Sequence, residues 1–197
     1  NDLPLTVKMR VGFDNTDTFE EILDTINRHN IDLLSLHGRT VKDRYHGAVK
    51  YDLIAFAVKR VNCPVLANGD INSATNALKI LSQTGAAGVM LGRWAIANPW
   101  IFHQIRQALK SEPISPVPLV EVREYIERLR QTPEAVKTPM RARAGHQKMY
   151  LNYIAPLVDA EGHFLRLMRR TQTEVELLKL CDSVLLDSNK NLALAPY

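Results

Sequence analysis

The first hundred residues repeat one pattern four times: a short β-branched or leucine-rich run, a polar cluster, and an amphipathic helical segment. The predicted strands cover residues 5–11, 31–36, 64–67 and 88–91, and the predicted helices cover 18–30, 51–61, 74–81 and 99–109. Ser73 is the expected N-cap of the third helix. Strands that alternate with helices at this spacing favour parallel βαβ units, and therefore an α/β fold.

Polar residues follow each predicted strand, and their distribution bears on the choice between a doubly wound sheet and a (β/α)₈ barrel. The residues concerned are Lys8 and Arg10, His37 and Arg39, Asn68 and Asp70, and Gly92 and Arg93. A barrel collects its active site from the carboxyl ends of many strands, whereas an open sheet binds its ligand at one switch point. The pattern favours barrel units. A TIM-type barrel needs eight strands and about 250 residues, so four units correspond to half of one.

A change in composition follows the fourth unit. Residues 111–118 contain three prolines and predict a linker. Helical periodicity then covers 119–131, 139–154 with Thr138 as cap, 163–170 and 173–187, the last with an apolar face of Val175, Leu178, Cys181, Val184 and Leu185. We therefore predict a partial barrel over 1–110, a linker over 111–118 and a small all-α bundle over 119–197.

Membrane and metal functions find no support in the sequence. Apolar runs fall short of the roughly 18 residues that a membrane span needs, and the N-terminal segment lacks the layout of a secretory signal. Cys63 and Cys181 lie far apart without metal-ligand spacing. We expect a cytoplasmic protein with reduced cysteines, no metal site and no membrane partner.

Positive charge is concentrated in one region. The formal net charge is +4, and residues 137–170 hold seven basic side chains against two acidic ones. Arg141 and Lys148 share one helix face, and Arg166, Arg169 and Arg170 share another. Such patches neutralise nucleic-acid phosphates. A solvated helix face is the alternative interpretation.

The strand ends together suggest a ligand. Lys8 and Arg10 point to the same side of a strand and need an anion or an electron-rich ring as partner, unless they belong to a salt-bridged edge strand. Asn68-Gly69-Asp70 allows a turn at positive φ that exposes backbone N–H groups. Gly92 and Arg93 suit a phosphate dianion. The combination describes a site for a phosphorylated planar cofactor.

Five motifs carry a resemblance to a known family. Residues 6–12, 36–40, 67–71, 89–93 and 98–102 together resemble the tRNA-dihydrouridine synthases, flavin enzymes that reduce uridine in tRNA. The resemblance is weaker but present at 146–150 and 164–168. It implies the four C-terminal βα units of an FMN barrel followed by a helical tRNA-binding domain, with NADPH as the hydride source.

The resemblance also implies individual roles. Lys8 and His37 would contact the flavin ring, and the ribityl chain and phosphate would be held by Asn68, Gly69, Asp70, Gly92 and Arg93. Substrate contacts would come from Arg10, Arg39, Arg141, Lys148, Arg166, Arg169 and Arg170. The family's general-acid cysteine is expected in an N-terminal half that these residues do not include, and neither Cys63 nor Cys181 stands in for it.

Two further expectations and two alternatives remain. Four strands alone leave open sheet edges and an apolar interior face, so we expect self-association or a partner chain, and no uridine reduction by these 197 residues on their own. The alternatives are another FMN-dependent barrel oxidoreductase and a non-catalytic tRNA-binding protein with a degenerate half barrel.

Overall fold

The computed structural model describes residues 3–186 and 190–193, and contacts between residues divide the chain into two units, 1–91 and 92–197. The first unit is a parallel four-stranded sheet with the strand order β1-β2-β3-β4. Its elements are β1 (Thr6–Arg10), α1 (Phe19–Asn27), β2 (Leu33–His37), α2 (Tyr51–Arg60), β3 (Val65–Asn68), α3 (Ala74–Thr84) and β4 (Gly88–Met90). The predicted alternation of strands and helices is confirmed, and this α/β arrangement is consistent with part of a TIM-type barrel.

The two faces of the sheet differ in chemistry because successive strand residues point to opposite sides. One face is apolar and fully buried in the two central strands, where it includes Leu34, Leu36, Val65 and Ala67. The opposite face carries Lys8, Arg10, Ser35, His37 and Asn68. Leu66 and Met90 also lie on this face, so the interior face that was expected to be apolar is mixed in character. The apolar side chains of the first face are buried within the unit, whereas the polar side chains of the strands lie on the opposite face.

The described elements of the second unit are helices. They are α4 (Arg93–Ala97), α5 (Ile101–Leu109), α6 (Leu119–Arg130), α7 (Pro133–Lys137), α8 (Met140–Val158), α9 (His163–Arg170) and α10 (Glu174–Leu185). Their shared core includes Ile154, Phe164, Met168, Leu177 and Cys181. Nowhere in residues 3–186 and 190–193 is a helix both long enough and apolar enough to cross a membrane.

Several helix boundaries differ from the sequence prediction: α1 ends at Asn27 rather than at residue 30, and α3 ends at Thr84 rather than at residue 81. Helices α4 and α7 were not predicted. Thr138 ends α7 rather than capping α8, because its hydroxyl donates to the Glu134 carbonyl at 2.8 Å within the preceding helix. Helix α8 follows Pro139 and continues through Pro156 to Val158, beyond the predicted end at residue 154.

The apolar face predicted for the last helix is confirmed at Cys181 and Leu185, but Leu177 is buried in place of Leu178. Leu177, Cys181 and Leu185 are the buried residues of α10, whereas Val175 is 62% exposed. The helix begins with a capping box in which the Thr173 hydroxyl accepts from the Glu176 amide at 3.2 Å. Its predicted end, Asp187, lies outside the described residues.

The proline-rich segment 111–118 contains no helix, and hydrogen bonds hold it at both ends. Ser115 bonds the side chains of Gln104 and Gln107, and the Leu192 amide donates to the Val117 carbonyl at 2.7 Å. The division into units lies before α4 rather than at this segment, since α4 packs on α8. The domain bounds drawn from the sequence stay a prediction.

Candidate active site

Polar side chains at the carboxyl ends of β1, β2 and β3 form one row across the first unit. The strand register pairs Arg10 with His37 and His37 with Asn68, and it places Lys8 opposite Ser35 one pleat earlier. Parallel pairing brings these strand ends to the same edge of the sheet. The sequence prediction that residues from different βα units meet at one edge is confirmed for these strands.

His37 occupies the centre of the row and is buried, with only 7% of its surface exposed. Its Nε2 atom is buried without a hydrogen-bond partner among the described residues. Burial, and then the positive charges of Arg10, Arg39 and Lys8, lower the pKa of His37 to about 4, while Asp70 opposes this shift. The imidazole is therefore neutral at pH 7, and its ring nitrogen is available to a ligand.

Arg10 and Arg39 have protein partners that fix their guanidinium groups. Arg10 Nη1 donates to the carbonyls of Thr40 and Arg44 at 2.7 and 2.9 Å, which ties the loop after β2 to β1. Arg39, only 3% exposed, donates to both carboxylate oxygens of Asp70 at 2.9 and 2.5 Å. This bidentate contact raises the pKa of Arg39. Both side chains organise the strand ends, and their contact with substrate stays a prediction.

The turn after β3 has the backbone conformation that its sequence predicts. Gly69 has φ +132° and Asp70 has φ +45°. A Cβ atom on Gly69 would lie 2.8 Å from a methyl carbon of Val49 and 3.2 Å from Cδ2 of His37. Glycine is therefore required here on both conformational and steric grounds, and the backbone passes close beside the imidazole.

Side-chain hydrogen bonds hold this turn in place. Asn68 Nδ2 donates to the Met90 carbonyl at 2.7 Å, and Tyr51 Oη donates to the Gly69 carbonyl at 2.8 Å. Burial raises the pKa of Tyr51 to about 12, so the hydroxyl keeps its proton. The sequence analysis missed Tyr51 as a site residue because a tyrosine at the start of a helix carries no local signal of such a contact.

Gly92 and Arg93 belong to the second unit. Gly92 precedes α4, and a Cβ atom built on it would have no neighbour within 4 Å. Arg93 is the first residue of that five-residue helix. Their assignment to a phosphate stays a prediction.

The first unit fits a planar cofactor that becomes anionic when it is reduced, such as a flavin. Lys8 and Arg10 supply positive charge on the polar face, His37 supplies a buried nitrogen without a partner, and Gly69 keeps the backbone close to the imidazole ring. A buried polar atom without a partner is costly, and a bound ligand would remove that cost. The donor set is therefore compatible with the group that the resemblance implies.

Neither cysteine lies at the carboxyl ends of the strands. Cys63 precedes β3, at the amino end of the strand, and burial raises the pKa of its thiol. Cys181 lies in the core of the second unit, where burial raises the pKa of its thiol to about 11. Neither thiol is therefore placed as a proton donor at the strand ends, since Cys63 lies at the opposite end of β3 and Cys181 belongs to the helical core.

The basic residues predicted to contact nucleic acid lie on α8 and α9, two helices of the second unit that pack together. Arg141, Arg166, Arg169 and Arg170 are exposed. Lys148 Nζ donates to the carbonyls of Arg169 and Thr171 at 3.2 and 2.5 Å, at the carboxyl end of α9. Lys148 thus satisfies helix-terminal carbonyls that favour a cation. Its contact with a phosphate stays a prediction, as does that of the arginines.

Comparison with known proteins agrees with the resemblance drawn from the motifs. The family model described as dihydrouridine synthase matches residues 1–190. The chain is 37% identical over 127 residues to tRNA-dihydrouridine synthase B of Pseudomonas aeruginosa and 38% identical over 127 residues to that of Escherichia coli strain K12. These matches cover 64% of the chain but 38% and 40% of the two relatives. The protein of the same name from Pseudomonas syringae pv. tomato is 41% identical over 112 residues, covering 55% of the chain and 32% of that relative.

Proposed function

Because the chain belongs to the dihydrouridine synthase family, we propose that it contributes the FMN-binding strand ends and the tRNA-binding helices of a tRNA-dihydrouridine synthase. The reaction is the reduction of the uridine C5=C6 bond in tRNA, with NADPH as the source of hydride. The observation that carries the proposal is the polar row Arg10, His37 and Asn68 on the face that also bears Lys8. Since the proposed substrate is tRNA, the proposed compartment is the cytoplasm.

Each residue of the row has a separate task in this proposal. FMN, when bound, supplies the hydride acceptor for NADPH and the hydride donor for uracil. Lys8 would supply a positive charge that stabilises the anionic reduced form of the flavin. His37 Nε2 is buried and without a partner and would form a hydrogen bond to the ring. The low pKa of His37 keeps the imidazole neutral.

The cofactor's polar side chain is assigned to the turn after β3. Asn68 and Gly69 present this turn at the same edge of the sheet as His37. Asp70 is held by Arg39, which fixes the turn and leaves less freedom to be lost when a ligand binds. The proposed phosphate contacts of Gly92 and Arg93 rest on the family resemblance alone.

The helices of the second unit are proposed to bind tRNA through phosphates. Arg166 and Arg170 are exposed one helical turn apart on α9, and Arg141 is exposed on α8. Such contacts give affinity and orientation without reading bases. Lys148 supports this surface by binding the end of α9. A uridine within folded tRNA must also leave its stack to be reduced.

We propose that the chain does not reduce uridine unaided. Adding a hydride to one carbon of the C5=C6 bond requires a proton for the other, and neither Cys63 nor Cys181 lies at the strand ends that carry the site. The sheet also ends at β1 and β4, and edge strands offer unpaired backbone groups. Pairing of these edges with further strands, from another segment or chain, is the proposed route to a complete site.

The test is the content of dihydrouridine in tRNA after incubation with NADPH and the natural gene product, measured by mass spectrometry. We expect dihydrouridine with the wild-type protein, at least tenfold less with His37→Gln, and unchanged amounts with Lys59→Met, which alters an exposed residue of α2. Wild-type protein that binds tRNA but forms no dihydrouridine would instead support the non-catalytic binding protein.

A further inference from the structure

A cavity of about 200 Å³ in the second unit is not used by the proposed reaction. Helices α6, α7, α8 and α10 contribute its lining, which includes Glu127, Arg130, Arg143, His146 and Gln147. The volume is below the roughly 300–1,000 Å³ of pockets for drug-sized ligands. It therefore suits a single aromatic ring system rather than a larger molecule.

Gln147 lines this cavity and carries a hydrogen-bond acceptor without a partner. The side chain is only 6% exposed, and its Oε1 atom is buried with no partner among the described residues. Its Nε2 atom donates to Glu174 Oε1 at 2.6 Å. A carboxylate accepts and does not donate, so this contact fixes the orientation of the amide and leaves Oε1 for a ligand that carries an N–H group.

The charges around the cavity balance and favour a neutral ligand. Arg130 donates to Glu127 at 2.6 and 2.7 Å and to Glu174 at 3.1 Å, and Arg143 Nη1 lies 4.0 Å from Glu174. A phosphate in the cavity would meet two carboxylates that already hold the guanidinium groups. A neutral ring with polar edges meets no such repulsion.

The hydrogen-bonding groups select the type of ring. Gln147 Oε1 requires a donor, while Arg143 and His146 line the same cavity and can donate to a ring nitrogen. An exocyclic amine beside a ring acceptor is the edge that adenine and cytosine present. Ala135 and Val136 supply apolar wall for the face of such a ring.

We propose that this cavity binds one unpaired adenine or cytosine of the tRNA, an inference that rests on the proposed function. Exposed Lys137 and Arg141 lie within two residues of the lining residues Val136 and Arg143. Cations in these positions can hold the phosphates on either side of an inserted base. The cavity would thus recognise a base, whereas the arginines of α9 hold only backbone.

The first experiment measures tRNA affinity by fluorescence anisotropy over a range of salt concentrations. Val136→Trp changes a lining residue that is 58% exposed and so closes the cavity from the surface. Gln147→Met removes the acceptor. We expect each variant to bind tRNA roughly 5- to 150-fold more weakly, the range for loss of a stacked base. Gln147→Met should leave the salt slope unchanged, because the loss of a hydrogen bond to a base releases no counterions.

Two controls accompany these variants. Gln83→Met makes the same chemical change as Gln147→Met at an exposed residue of α3 in the first unit, and it should leave affinity unchanged. The thermal unfolding midpoint of Val136→Trp should match the wild-type value, which shows that weaker binding does not arise from unfolding. Wild-type affinity in both cavity variants would overturn the inference while leaving the proposed function intact.

The second experiment titrates adenosine, cytidine and uridine into the chain and follows the backbone amide signals of Ala135 and Val136 by NMR. We expect shifts with adenosine and cytidine that Val136→Trp abolishes, and weaker shifts with uridine. Equal shifts with uridine would overturn the assignment to an amine-bearing base. Nucleoside shifts combined with unchanged tRNA affinity in the variants would show a site for a free nucleoside and overturn the tRNA assignment.

A separate result would show that the failure lies in the proposed function. If the wild-type chain does not bind tRNA in either low or moderate salt, the proposed function of the second unit fails, and the base pocket fails with it. If tRNA binds and only the cavity variants behave as wild type, the pocket alone is wrong.

Discussion

Acidification should destabilise the first unit through His37. In the unfolded chain His37 takes up a proton near the ordinary histidine pKa of 6.5, whereas in the folded protein it takes up this proton only near pH 4. Between these values the unfolded state binds more protons, so the free energy of unfolding falls as pH falls. At about 1.36 kcal/mol per pKa unit, the lowered pKa of His37 corresponds to a loss of at most about 3 kcal/mol in the free energy of unfolding. Solvent screening at the open sheet face reduces this to about 1–2 kcal/mol.

Urea unfolding between pH 7 and pH 4 measures this contribution. His37→Gln keeps a neutral polar side chain but cannot take up a proton, so its free energy of unfolding should fall less over this interval than that of the wild type. The difference between the two curves should be about 1–2 kcal/mol, the screened value of the pKa shift. An imidazole that titrates near 6.5 by NMR, together with parallel curves, would refute the reasoning.

Three further predictions concern stability and nucleic-acid binding. Asp70→Asn should lower the free energy of unfolding by about 1–3 kcal/mol in urea, because it removes the charged partner of a buried guanidinium. A change below about 0.5 kcal/mol would count against a structural ion pair. Thr173→Ala should lower the free energy of unfolding by about 1 kcal/mol in the same assay, because it removes a capping box. Thr18→Ala should lower it less, since Thr18 makes no side-chain capping bond. Equal losses in the two variants would contradict this. Replacing Arg166 and Arg170 together by alanine should lower the log–log salt slope of tRNA binding by about 0.7–0.9 per lost contact. Replacing both by lysine should preserve the slope. An unchanged slope in the alanine variant would mean that this face of α9 is only solvated.

The sequence was sufficient for the parallel sheet and for the meeting of its polar strand ends. Their prediction depends on local signals: alternating apolar residues define the strands, and parallel pairing then brings His37 and Asn68 to one edge. The positive φ at Gly69 was also predictable, because an Asn-Gly pair after a strand favours such a turn.

Other features of the fold and the site depend on contacts between residues far apart in the sequence, which local sequence patterns do not predict. Tyr51 reaches the Gly69 carbonyl across 18 residues of sequence. The buried face of α10 is set by what packs against it, so Leu177 is buried where the periodicity favoured Leu178. The orphaned acceptor of Gln147 becomes visible only once Glu174 is seen to occupy the amide nitrogen.

The most direct test of the central claim is an equilibrium titration of the natural gene product, freed of flavin, with FMN, for wild type and Lys8→Met. Loss of a charge-assisted contact of about 1.5–3 kcal/mol should weaken FMN binding by roughly 10- to 150-fold. Lys59→Met, on an exposed position of α2, should leave the dissociation constant unchanged. Equal FMN affinity in the wild type and Lys8→Met, or no FMN binding by the wild type, would contradict the assignment of the polar sheet face as the flavin site.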